Sequence, residues 1–241
     1  MITCTDVRFG YLRSEPLFTD LSLSIGSGIT GLLGVNGAGK STLLTILSGA
    51  LRPTAGRVAL GDVDLYGKEH RTLLREIAMM PQELKVPPGT RLGDATRFLA
   101  WARGVPPREA DARARTALAQ VGLDDRADHR LSRLSGGMRR RFALAQAIVA
   151  SPRVLLLDEP TTGLDPQQRV VLRDLITGLD GVESVVLSSH VIEDIEASCD
   201  RVIVLHQGAI LFHGTLAELR SRDAGGSAEG AFLAMVMRAS R

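Results

Sequence analysis

Residues 29–49 constrain the fold of this chain more than any other stretch, because they read as a strand, a glycine-rich loop and a helix. The apolar run 29–33 predicts a buried strand. Residues 41–48 have apolar side chains at helical spacing and are followed by a glycine, which favours a helix and its end. A strand that leads through such a loop into a helix indicates an α/β fold.

The loop fits the pattern G-x-x-x-x-G-K-[ST]. Glycine lets the backbone wrap around a polyphosphate, because a Cβ would obstruct both the positive φ angles and the close approach. The N–H groups would then converge on phosphate oxygens at the positive end of the helix. Lys40 would neutralise the β and γ phosphates, and the Ser41 hydroxyl would ligate Mg²⁺. The alternative is a glycine-rich turn with an incidental lysine, although only three of the 29 basic residues are lysines.

Length and charge bound the rest of the molecule. A chain of 241 residues can bury one large α/β core, with room for an inserted subdomain. The net charge of +2 is spread along the sequence, so we expect no nucleic-acid partner and no direct binding to an anionic membrane. Cys4 and Cys199 lack metal or redox spacing, which favours a reduced, cytoplasmic compartment. No window approaches the ~18 apolar residues of a membrane span, so a membrane role would need another chain.

Alternating polar and β-prone residues at 3–9, 21–25 and 57–60 predict an antiparallel β lobe beside the loop. Tyr11 follows the first of these strands. Its ring could stack on a nucleotide base or could simply pack in the core.

A helical block is predicted between two strands. The apolar residues before Gln82 read as a buried strand, and an amide there could reach Mg²⁺ or its water, or be merely solvated. Helices are expected at about 91–103 and 108–121. The arginine- and alanine-rich composition of residues 84–150 indicates an inserted helical subdomain.

The sequence Ser135-Gly136-Gly137 precedes a predicted helix at 139–150. A hydroxyl, free backbone N–H groups and a helix dipole could form a second anion site, or only an ordinary helix cap. Two phosphate sites in one small chain would need a reason.

The apolar run 154–157 ends in Asp158 and Glu159, which is typical of a buried parallel strand with chemistry at its C-terminal tip. Asp158 would hold Mg²⁺, largely through water. Glu159 would accept a proton from the attacking water, unless it only caps a helix. Asp165 would cap the next helix. His190 follows another buried strand and would face the same edge, although a lone histidine is more often structural.

Together these residues resemble the nucleotide-binding subunits of ATP-binding cassette (ABC) transporters, over about residues 1–220. The discriminating element is Leu-Ser-Gly-Gly at 134–137, placed between the phosphate loop and the Asp158–Glu159 strand. Many unrelated phosphate-loop proteins lack this element. The implied fold is a phosphate-loop NTPase core with a mostly parallel sheet, an antiparallel β lobe and an inserted helical subdomain. Residues 221–241 would form a short tail with a docking helix at 231–237.

The resemblance implies ATP and Mg²⁺ as ligands and assigns residues to them. Phosphate binding falls to Gly34, Val35, Asn36, Gly37, Ala38, Gly39, Lys40, Ser41 and Thr42. The other implied roles are base stacking for Tyr11, metal sensing for Gln82, Mg²⁺ binding for Asp158, general base for Glu159, the interface loop for Asp165 and γ-phosphate contact for His190. Two copies, or two paired ABC subunits, would face head to tail, so that Ser135, Gly136 and Gly137 of one close over the ATP of the other.

The resemblance also implies a subtype. Met138 replaces the glutamine that is commonest after the two glycines, a variation frequent in the antibiotic and polyketide exporter branch. We also expect no large regulatory domain of the kind that sugar importers append. We therefore expect an exporter subunit that drives separate transmembrane permease subunits at the inner face of the cell membrane. The rival hypotheses are a soluble ABC ATPase acting on ribosomes or DNA, and a phosphate-loop kinase, which would leave residues 135–137 and His190 without purpose.

Overall fold

The structure is a computed structural model that describes residues 1–12, 14–80 and 86–240. The strands of this part of the chain are β1 (Ile2–Phe9), β2 (Phe18–Ile25), β3 (Gly28–Leu33), β4 (Ala55–Leu60), β5 (Val63–Asp64), β6 (Ile77–Met80), β7 (Val154–Leu157), β8 (Ser184–Ser189), β9 (Arg201–His206) and β10 (Ala209–Thr215). The α-helices are α1 (Lys40–Leu47), α2 (His70–Glu76), α3 (Leu92–Ala102), α4 (Pro107–Gln120), α5 (Gly136–Ile148), α6 (Pro166–Thr177), α7 (Ile192–Glu196), α8 (Leu216–Arg220) and α9 (Ala228–Ala239).

The strands form two sheets. The larger has the order β10-β9-β3-β8-β7-β6, and β9, β3, β8, β7 and β6 run parallel, with β10 antiparallel at one edge. The smaller is antiparallel, in the order β2-β1-β4-β5. These are the predicted mostly parallel sheet and antiparallel β lobe. The C-terminal ends of the parallel strands therefore meet at one edge, where the predicted site residues follow them.

The parallel strands are apolar on both faces because each face covers a separate core. Successive side chains of a strand point to opposite faces. In β7, Val154 and Leu156 pack into the core shared with α1 and the antiparallel sheet. Leu155 and Leu157 pack into the core shared with the helices of the other face. Fully burying a side chain of this kind contributes roughly 1.5–3 kcal/mol, so both cores stabilise the strands that carry the site.

A helical block connects β6 to β7, as predicted. Helices α3 and α4 pack on each other and on α5, which also contacts β6. Phe142 of α5 is fully buried in the shared core. Helix α5 starts at Gly136 rather than near residue 139, because the Ser135 side chain accepts a hydrogen bond from the Met138 N–H and caps the helix there. No helix in the described ranges is both long and apolar enough to cross a membrane.

The chain ends in two helices that dock on the larger sheet. Thr215 and Glu218 form a capping box that starts α8. Helix α9 is longer than the predicted helix at 231–237, and it contacts α7, α8, β9 and β10. Phe232 is one of its buried side chains. The tail is therefore part of the packed body.

Candidate functional site

The loop between β3 and α1 has the backbone that its glycines predict. Gly37 and Gly39 have φ angles of 82° and 104°, in the left-handed region that side chains other than glycine rarely adopt. Gly39 is the N-cap residue of α1, and the tip formed by Val35, Asn36 and Gly37 is exposed. The N-terminal N–H groups of α1 are therefore presented at the positive end of a helix.

The β9–β10 hairpin supports this loop from behind. A Cβ at Gly34 would lie 2.4 Å from the carbonyl oxygen of Leu205, so only glycine fits against β9. Gly208, at the hairpin turn, donates its N–H to the carbonyl oxygen of Ala38 at 3.1 Å. A Cβ at Gly208 would also collide with the Leu17 backbone. The loop conformation therefore depends on residues far along the chain.

Lys40 points inward at the base of the loop. Only 5% of the residue is exposed, and its Nζ donates to the carbonyl oxygens of Gly34 at 2.7 Å and Val35 at 3.3 Å. The same Nζ lies 3.3 Å from Oε1 of Glu159. A buried ammonium with these partners carries a positive charge to the end of β7.

Asp158 and Glu159 follow β7 and are both buried. Ser188 at the end of β8 joins them, because its hydroxyl donates to Oδ1 of Asp158 at 2.9 Å and accepts from the Glu159 N–H at 2.8 Å. No role was predicted for Ser188 from the sequence. Glu159 has a φ of 45°, in the left-handed region, and its side chain reaches Lys40 at the loop.

The Glu159 carboxylate contacts several polar groups of the site. Its Oε2 accepts from the Thr162 hydroxyl at 3.0 Å and lies 3.2 Å from Nδ1 of His190. Burial by itself would raise the pKa of Glu159, but the bond from Thr162 and the charges of Lys40 and His190 outweigh it and lower the pKa below its ordinary value. The carboxylate is therefore ionised at neutral pH, as a proton acceptor must be.

A cavity of about 910 Å³ opens beside these groups, a size that suits a nucleotide. Its lining includes Tyr11, Asn36, Gly37, Gly39, Lys40, Ser41, Thr42, Arg140, Glu159 and Thr162. Tyr11 is 72% exposed and its hydroxyl is 3.1 Å from Oγ1 of Thr42, so the alternative of core packing is wrong. Arg140 and Thr162 were missed because no local pattern places them at the loop.

Ser135 and Gly137 line a separate hollow of about 380 Å³ with Gln168 of α6. The described lining of the larger cavity includes none of residues 135–137. Gly137 packs closely against α6, since a Cβ here would lie 2.7 Å from Cδ of Gln168 and the glutamine side chain would have to move. The structure thus places the two predicted anion sites apart within one chain.

Asp165 is exposed and caps α6, accepting from the Gln168 N–H at 2.9 Å. Gln82 falls in 81–85, outside the described residues. Its predicted role stays a prediction.

The donor set beside the loop fits Mg²⁺. The Ser41 side chain is at the exposed start of α1, and the Asp158 carboxylate would supply a second hard oxygen ligand. Within the described ranges, no group of three or more histidine, cysteine or acidic side chains could hold a metal unaided.

A parallel sheet, a glycine loop that starts a helix, a buried lysine and two acids at the tip of a neighbouring strand define a phosphate-loop nucleoside triphosphatase. A profile of the ABC transporter family matches residues 18–162. The chain belongs to this family, as an ATP-binding subunit that hydrolyses ATP with Mg²⁺.

Related proteins are also ATP-binding proteins. The chain is 35% identical to the linearmycin resistance ATP-binding protein LnrL of Bacillus subtilis, over 93% of this chain and 72% of that protein. It is also 35% identical to the methionine import ATP-binding protein MetN of Caulobacter vibrioides, over 91% of this chain and 68% of that protein. The structure of CbiO1 from Clostridium perfringens, part of the ABC transporter complex CbiONQ, matches with a TM-score of 0.80 at 26% identity, over 91% and 90% of the two chains. The relatives of this chain therefore include both a resistance protein and import proteins.

Proposed function

We propose that the chain is the ATP-hydrolysing subunit of an exporter, which lies at the cytoplasmic face of the cell membrane and drives separate transmembrane permease subunits. The observation that carries ATP hydrolysis is that Lys40 and His190 both contact Glu159, which lines a nucleotide-sized cavity together with Lys40. The similarity to a resistance protein supports export, and the Met138 variation supports the same branch. Residues 1–220 would form the ATPase domain, with about 84–150 as its helical insert and 221–241 as its docked tail.

The residues of one chain would act as follows. Tyr11 would stack on the base, and residues 34–42 would cradle the phosphates. Arriving phosphates would replace Glu159 as the partner of Lys40, which frees the carboxylate to accept the proton of the attacking water. His190 would contact the γ phosphate from the far side. Mg²⁺, held by Ser41 and Asp158, would neutralise phosphate charge.

The second anion site has a purpose if two subunits pair. Ser135, Gly136 and Gly137 lie at the N-terminus of α5, away from the cavity of their own chain. In a head-to-tail pair, these groups would close over the ATP of the other subunit, with Asp165 near the interface. Two ATP molecules would then hold the pair closed, and hydrolysis would release it.

Lys40→Ala should lower the affinity for ATP about tenfold or more. A hydrogen bond to a charged group contributes roughly 1.5–3 kcal/mol, and the phosphates would lose their point charge. Calorimetric titration with Mg-ATP measures the change. Lys68→Ala is the matched control, because Lys68 is exposed. Equal affinity of the two variants would exclude the phosphate-loop assignment.

Trp101→Ser should weaken binding to the permease subunits without loss of thermal stability. Phe98 and Trp101 of α3 are 60% and 55% exposed, and their rings form a tilted pair with centroids 5.8 Å apart. Trp101 therefore does not fill the core of the helical block, and an exposed aromatic pair suits a protein partner.

Co-purification from native membranes measures this binding. Leu233→Ser on α9 is the control, since Leu233 is also exposed. Undiminished binding of the Trp101 variant would place the docking surface elsewhere.

Recovery of the wild-type chain with ribosomes or DNA instead of membrane proteins would favour the soluble alternative. Increased sensitivity of cells lacking the chain to toxic small molecules would support export, and loss of nutrient uptake would support import.

A further inference from the structure

The guanidinium of Arg140 lies against the backbone that carries the proposed general base. Arg140 belongs to α5, and its Nε donates to the carbonyl oxygen of Pro160 at 2.5 Å. Its Nη2 donates to the carbonyl oxygens of Asp158, at 3.2 Å, and of Glu159. One planar fork of donors therefore contacts three successive peptide groups just after β7.

This backbone needs support from outside itself. Glu159 has a φ of 45°, and a residue other than glycine keeps this backbone conformation only where the surrounding structure holds it there. The Glu159 N–H is held by the Ser188 hydroxyl from β8. The Glu159 carbonyl is held by Arg140 from α5. Together these two contacts fix the peptide groups on both sides of the carboxylate, and hence its direction.

The environment of Arg140 agrees with this use. The guanidinium is partly buried, and burial lowers its pKa, while the charges of Asp158 and Glu159 oppose the change. An arginine nevertheless remains charged at any physiological pH. A partly buried cation is tolerated where its N–H groups are hydrogen-bonded, as those of Arg140 are.

We propose that Arg140 is a positioning residue for ATP hydrolysis, which acts by orienting the backbone of Glu159. This inference rests on the proposed role of Glu159 as the base. It differs from a phosphate contact, which would act through nucleotide affinity. Because Arg140 also lines the nucleotide cavity, the two possibilities must be separated by experiment.

Arg140→Met keeps the aliphatic length and removes the donors. We expect kcat for ATP hydrolysis by the full chain to fall ten- to a hundredfold, while the Kd for Mg-ATP stays within about twofold of wild type. Arg140→Lys keeps the charge but not the planar fork, so its kcat should lie between the two. Steady-state kinetics and calorimetry provide the two quantities.

Arg103→Met is the matched control. Arg103, at the end of α3, is also partly buried, and its Nη1 donates to the carbonyl oxygen of Ile77 at 3.3 Å. It lines neither the nucleotide cavity nor the hollow beside Ser135. The kcat of this variant should stay within about twofold of wild type. An equal loss of rate in both variants would mean that losing a partly buried arginine merely destabilises the fold, and would overturn the proposal.

A double-mutant cycle with Glu159→Gln tests whether Arg140 acts through the carboxylate. If it does, adding Arg140→Met to Glu159→Gln should change the remaining rate less than twofold, because there is no base left to orient. If the rate losses of the two single variants multiply in the double variant, the proposal is overturned. A tenfold loss of ATP affinity at unchanged kcat in Arg140→Met would also overturn it. If Arg140→Met does not fold, the cycle is run with Arg140→Lys. A wild-type rate for Glu159→Gln alone would instead refute the proposed function.

Discussion

Glu159→Gln is expected to bind ATP and to hydrolyse it roughly 10²–10⁴ times more slowly than wild type, the range typical for loss of a general base. The amide keeps the size and reach of the carboxylate but cannot take the proton of water. The change also removes a negative charge near the γ phosphate, so the ATP-bound state should be tighter. The variant should accumulate as a dimer with Mg-ATP, while wild type pairs only transiently.

Two measurements check this result: phosphate release, and light scattering in the presence of ATP. Glu193→Gln is the control, since Glu193 is exposed on α7, close in sequence to His190. This control should hydrolyse ATP at the wild-type rate. If Glu159→Gln also does so, the base lies elsewhere in the molecule.

Adding Ser135→Arg to Glu159→Gln should abolish the ATP-dependent dimer. Ser135 is exposed at the start of α5, where a long side chain would fill the space that the partner's phosphates need. The Ser135 side chain also caps the helix, and losing a cap costs about 0.5–2 kcal/mol, which a folded domain can tolerate. Light scattering at saturating ATP measures the mass of the complex.

Ser221→Arg in the same background is the control, because Ser221 is exposed at the end of α8. Its dimer should persist. A dimer that survives Ser135→Arg as well would refute the paired-site arrangement. A Glu159→Gln protein that stays monomeric while saturated would mean that closure needs the permease subunits.

Much of the fold could be predicted because its signals are local. Apolar runs identified the buried strands, and the glycines placed the loop before α1. Boundaries were less predictable where capping decides them. The two glycines after Ser135 have low helix propensity, yet the serine cap starts α5 at Gly136. The short helix α2 was not predicted, since seven residues give little periodicity.

The site was predictable where residues follow strand ends, since parallel strands bring those ends together. Asp158, Glu159 and His190 were located in this way, whereas Lys40 was located by the pattern of the glycine-rich loop. Arg140 could not be located in this way, because its contact with Glu159 depends on how α5 packs against the larger sheet, where it contacts β6. Tyr11 was ambiguous on its own, since an aromatic ring after a strand can pack in the core or lie exposed beside a ligand.

The support of the loop by the β9–β10 hairpin has a consequence for the growing chain. Strand β3 pairs with β8 and β9, which are synthesised much later. The loop then needs Leu205 and Gly208 behind it. The predicted phosphate-binding residues leave the ribosome well before Leu205 and Gly208, so we expect the loop to take its binding conformation only after β9 and β10 have been made. Contacts of such high sequence separation are slow to form, so nucleotide binding reports completed folding rather than assisting its early steps.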